Sequence, residues 1–177
     1  FSALVFWCII KYEQEPKGWS ENRWLIMIFF LLGLSVGIHL LNLLALPAMA
    51  LVIYFKHHKQ SLPKLFITLG ISVLLIGSFI YIIIPGIVKT AAYLDLFFVN
   101  SMQMPVYSGA LFFMLLIILC VIFLMQYFYK NKRYILRFTL LLFSFWLLGY
   151  SSFAILVIRS NDEPFIDINN VENIFGL

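Results

Sequence analysis

Residues 106–129 carry no charged side chain, and that single run decides which solvent the fold must suit. A helix of about 20 apolar residues is what crosses a ~30 Å hydrocarbon core. Residues 65–84 and 134–158 form two more blocks of similar length, while Lys and Arg gather in the short breaks between blocks. With 63% hydrophobic and 11% charged residues, the chain holds far more apolar surface than a soluble core of this size buries. The expected fold class is therefore all-α: a polytopic integral membrane helical bundle with membrane lipids as its immediate partners. The net charge of +4 comes from clusters beside the apolar blocks, which suits phospholipid headgroups and argues against nucleic acid as a partner. Cys8 and Cys120 lie within apolar segments and offer neither a disulfide framework nor a thiolate metal site.

The run 1–10 is apolar but too short to cross a bilayer, and it lacks the basic start and small-residue cleavage site of a signal peptide. It is expected to be the end of a helix that begins upstream, with N-terminal helices missing from an internal fragment. Residues 1–158 then form the transmembrane region, and the polar stretch 159–177 starts an extracytoplasmic C-terminal segment. The block 24–55 needs more thought, because 32 helical residues would reach roughly 48 Å. Cytoplasmic loops carry the excess of Lys and Arg. A single crossing divides the twelve cations seven against five; a tight hairpin divides them ten against two. The hairpin is favoured, with its apex at residues 35–42 on the extracytoplasmic side. About six membrane segments result: the severed helix, the two short arms and three full spans. Residues 87–104 are too polar to cross and are expected as an interfacial or partly re-entrant helix.

Candidate site residues follow from that topology. His39 and Asn42 are polar groups in an apolar stretch, three apart and so expected on one helical face, where they either line a site or hydrogen-bond neighbouring helices. Lys89, Asp95 and Asn100 belong to the other extracytoplasmic polar set, which either lines a cavity for a polar headgroup or forms the polar side of an interfacial helix. Gly33 and Gly37 make a G-x-x-x-G pattern that reads as helix packing. Pro47 is expected to kink the second arm or free a carbonyl there. No spanning block contains a carboxylate, and no nucleophile motif, phosphate loop, dinucleotide fingerprint or zinc spacing is present. The expectation is no metal, no cofactor and no self-contained catalytic set.

Arg23-Trp24-Leu25 followed by the apex run Gly33-Leu34-Ser35-Val36-Gly37-Ile38-His39-Leu40-Leu41-Asn42 and on to Pro47-Ala48 closely resembles a membrane family common in Bacteroidota. That family is related to the eukaryotic protein O-mannosyltransferase called transmembrane protein 260. The stretches 84–101 and 158–173 also look like it. The resemblance implies a GT-C-type glycosyltransferase in the bacterial inner membrane. Such an enzyme moves a hexose, mannose being the first candidate, from a polyprenyl-phosphate donor to Ser or Thr of an extracytoplasmic protein acceptor. It further implies an acidic catalytic base in a first extracytoplasmic loop, upstream of Phe1, so that this fragment alone is expected to be inactive. His39, Asn42, Lys89, Asp95 and Asn100 are left as substrate-binding candidates. A membrane scaffold or assembly subunit and a lipid-linked sugar transporter are the alternatives.

Overall fold

A computed structural model describes residues 1–154, and the expected C-terminal segment 159–177 lies outside the described residues. The described chain is helical, with no strand among its residues. It runs α1 (Ser2–Gln14), α2 (Trp19–Val36), a 3₁₀ turn (Leu40–Leu44), α3 (Ala45–His57), α4 (Leu62–Ser78), a π-helical segment (Phe79–Ile83), α5 (Ile84–Met102), α6 (Ser108–Lys130) and α7 (Tyr134–Tyr150). Four helical runs are long and apolar enough to cross a bilayer: Leu40–His57, Leu62–Met102, Ser108–Lys130 and Tyr134–Phe153. The fold is thus the expected helical membrane bundle.

Two compact units share the chain. The first holds Phe1–Ile80 with Leu142–Phe153, and the second centres on Tyr81–Leu141. In the first unit, α1 packs on both α2 and α3. Its inward residues Val5, Cys8, Ile9 and Tyr12 recur at the three-to-four-residue spacing of a helical stripe, as do Leu25, Ile28, Leu32 and Ser35 of α2. Helix α2 and the C-terminal part of α7 cross at backbone contact. A Cβ on Gly33 would lie 2.1 Å from the Trp146 carbonyl oxygen, and one on Gly149 would lie 2.3 Å from that of Phe30. Only a hydrogen fits at either position, so the packing role expected of Gly33 is met with Gly149 as its counterpart.

The hairpin is present. Helix α2 stops at Val36, the chain turns through Gly37 and an extended His39 (φ −161°, ψ 107°), and α3 returns until Lys56 lies beside the start of α2. Two local expectations are corrected. Pro47 does not kink the second arm: it is the third residue of α3, within the first turn, where a missing N–H breaks no intrahelical bond. Residues 87–104 do not form a separate interfacial helix either. Helix α5 continues α4 through the π-helical turn as one 41-residue run. Pro85 falls at the start of α5, and the wider π turn before it absorbs the helix disruption that a proline brings. About 20 helical residues suffice to cross the hydrocarbon core, so only part of this run lies within it.

In the second unit α6 folds back along α5, and the buried faces are small. Gly109 of α6 meets the backbone of Leu94 and Asp95 so closely that a Cβ there would sit 2.4 Å from Asp95 Cα. Outward, α6 is apolar all round, as a helix solvated by lipid can be.

Candidate functional site

The two ends of the α2–α3 hairpin concentrate the first unit's polar chemistry, and they are built differently. At the basic end, Gly18 adopts φ +144°, a conformation open in practice to glycine alone. That geometry lets its N–H bond Glu21 Oε1 at 3.2 Å. Glu21 is buried, and its other oxygen sits 2.9 Å from Lys56 Nζ and 3.6 Å from His57 Nε2. Lys56 also donates to the backbone carbonyls of Tyr12 and Glu15, tying the ends of α1 and α3 together. Its ammonium lies 4.4 Å from the centre of the Tyr12 ring, whose hydroxyl is 3.1 Å from His57 Nε2. Burial by itself raises the Glu21 pKa. The Lys56 ammonium, the Gly18 N–H and His57 outweigh it and hold the carboxyl below the usual carboxylate range. Tyr12 is pushed up to about 12, first by burial and then by the Glu21 charge.

At the apex the charges are gone. Ile38, His39, Leu40 and Leu41 are exposed, and together with Val36, Leu43, Ile76 and Ile80 they line a cleft of about 430 Å³. Its wall is aliphatic apart from His39. Asn42 is buried and accepts a hydrogen bond from Ser2 Oγ, which pins the apex to the start of α1. His39 and Asn42 therefore do not share a helical face as expected. The helix breaks at Gly37, so His39 lies in extended backbone facing outward while Asn42, in the 3₁₀ turn, points inward.

The remaining candidates belong to the second unit. Asp95 is buried, and its two carboxylate oxygens accept from the backbone N–H groups of Tyr107 at 3.1 Å and Gly109 at 3.0 Å. It caps the start of α6, and both of its oxygens are engaged in doing so. Lys89 and Asn100 are exposed on α5. Eleven residues make very nearly three helical turns, so the two share one face with Tyr93 and Leu96. The basic-end cluster is what sequence reasoning missed. Glu21 and Lys56 stand 35 residues apart in two different breaks between apolar blocks, and only the Gly18-x-x-Glu21 spacing, a capping-box-like signal, could have pointed to the cluster.

Comparison with curated proteins and with solved structures finds no match. The apex run that carries the resemblance lies inside a stretch that does match a family, whereas 84–101 and 158–173 lie beyond that stretch. Residues 1–62, which comprise α1, α2, the apex and α3, match the family described as the Protein O-mannosyl-transferase TMEM260 N-terminal domain.

Proposed function

We propose that this chain is part of a membrane glycosyltransferase in a bacterial inner membrane, which transfers a hexose, mannose first, from a polyprenyl-phosphate donor to protein Ser or Thr on the extracytoplasmic side. The match of residues 1–62 to a protein O-mannosyltransferase family carries this reading. The apex cleft supports it on physical grounds. An aliphatic cleft takes isoprenoid units by removing their surface from water and lipid headgroups, at about 25 cal/mol per Å². A single imidazole, His39, stands on its wall, and we assign it to the phosphate at the end of such a chain.

The chemistry divides the labour. The acceptor hydroxyl oxygen attacks the sugar's anomeric carbon while the bond from that carbon to the lipid phosphate oxygen breaks, its electron pair leaving on the phosphate. A carboxylate base takes the hydroxyl proton, and cationic or hydrogen-bonding groups stabilise the departing phosphate. In this reading His39 serves the phosphate from the cleft wall. Within the second unit, Lys89 and Asn100 offer a cation and an amide on one face of α5 to a polar headgroup. Asn42 and Asp95 act by holding the apex and the start of α6 in place. The two buried carboxylates, Glu21 and Asp95, are both engaged in structure, so neither is assigned as that base.

The test is transfer of labelled mannose from a polyprenyl-phosphate donor to a Ser/Thr peptide by the purified full-length protein. Transfer is expected, and His39→Ala should lower its kcat/KM at least tenfold, about 1.4 kcal/mol of transition-state stabilisation. Movement of the lipid-linked sugar across a bilayer with no transfer to peptide would replace this reading with transport.

A further inference from the structure

The turn joining α6 to α7 holds Lys130, Lys132, Arg133 and Arg137, with Tyr127, Tyr129 and Tyr134 interleaved. Three observations set it apart from an ordinary solvated loop. No carboxylate occurs in the sequence between Asp95 and Asp162, so neither α6 nor α7 offers these cations a counter-ion, unlike Lys56 with its Glu21. The turn is also built at a cost. Arg133 N–H bonds the Phe128 carbonyl at 3.0 Å and Lys132 N–H the Tyr129 carbonyl at 3.2 Å, closing α6 with Lys132 at φ +53°. That left-handed position ordinarily takes glycine or asparagine. Finally, the Arg137 guanidinium is held 4.8 Å from the centre of the Tyr129 ring, which fixes a cation near the turn's base. A loop that only set membrane orientation would need positive charge, but neither a strained lysine nor a stacked arginine.

We propose that this turn is a binding site for the phosphate of an anionic phospholipid in the leaflet it meets. The occupant is a lipid headgroup because the turn connects two helices that are each long and apolar enough to span, which sets its cations at the depth of bilayer phosphates. Its three tyrosines are 52%, 64% and 68% exposed, and tyrosine in that state favours the headgroup level. Lys130, Lys132 and Arg133 surround the phosphate, and the positive end of α7 adds to their field.

Native mass spectrometry of the chain in detergent, titrated with phosphatidylglycerol or phosphatidylcholine, tests this. Phosphatidylglycerol is expected to be retained in a salt-sensitive way and phosphatidylcholine not. Lys132→Gln with Arg133→Gln should weaken retention about fivefold per cation removed, while Lys59→Gln with Lys64→Gln should leave it within about twofold. Lys132→Gly guards against misfolding, since glycine suits the turn: this variant should fold as well as the parent and still bind about fivefold more weakly. Equal retention of the two lipids, parental binding by Lys132→Gly, an equal loss at Lys59 and Lys64, or displacement of the lipid by millimolar inorganic phosphate would each overturn the proposal.

Discussion

The two ends of the α2–α3 hairpin face the same problem, polar residues at the border of an apolar bundle, and solve it in opposite ways. At the basic end the charged groups are drawn inward and paired: Glu21 with Lys56, His57 and the Gly18 N–H, and Lys56 with two carbonyls besides. At the apex Asn42 is turned in and bonded while His39 is left outside on the wall of an aliphatic cleft. Polar groups committed to one another hold the fold. A polar group left facing a cleft is free to meet a ligand, and that difference, rather than polarity itself, separates scaffold from site. Substitutions at the two ends should therefore part company when stability is measured.

The largest loss is expected at the basic end. Lys56→Met strands the buried Glu21 charge, which typically costs about 3–5 kcal/mol. Glu21→Gln should cost less, because Lys56 keeps both carbonyl partners. Adding Lys56→Met to Glu21→Gln should cost less than the sum of the two single changes. Thermal unfolding of the purified variants in detergent measures all three. The same cluster predicts acid sensitivity. The folded-state pKa of Glu21 is depressed, so its contribution is present above its unfolded value and is lost as pH falls through the lower folded one. Parent protein should lose stability on that acid side, and Glu21→Gln should lose less. An equal acid response in both would place the lock elsewhere.

An intermediate effect is expected at Asn42, whose bond to Ser2 Oγ ties the apex to α1. Asn42→Ala leaves the hydroxyl without its acceptor and should cost about 1–2 kcal/mol. Ser2→Ala should cost a similar amount, and the double variant little more than either one. Additive losses would mean that the two residues act independently and that the apex is held by the 3₁₀ turn alone.

The helical membrane class, the hairpin and the close-packing role of Gly33 were legible in the sequence, because lipid solvation, loop charge and small residues act through composition and spacing. What the sequence hid was local backbone choice. The three-residue spacing of His39 and Asn42 implies a shared face only while the helix persists, and it ends at Gly37. Residues 87–104 read as a helix apart, yet the π-helical turn Phe79–Ile83 carries α4 on into α5. Pro47 reads as a mid-helix kink only if α3 begins earlier than Ala45. The fate of a polar residue was equally hidden. Asp95 and Glu21 carry the same charge as any surface acid until the partners are known, and those partners stand 12 and 35 residues away in sequence.

The smallest effect is expected at His39, and it is the sharpest test of the comparison. Its side chain is exposed, its backbone is extended, and no hydrogen bond or ion pair ties its side chain to the described residues. Truncation of this exposed side chain removes little buried area and strands no partner among the described residues, so His39→Ala should leave stability within about 0.5 kcal/mol of the parent. A stability loss comparable to that of Asn42→Ala would show that the imidazole is committed to the fold, and the apex would then be a second lock rather than an open wall. Unchanged unfolding together with reduced transfer by the full-length protein separates the two roles, because a group that stabilises only a bound phosphate leaves no trace in the unliganded fold.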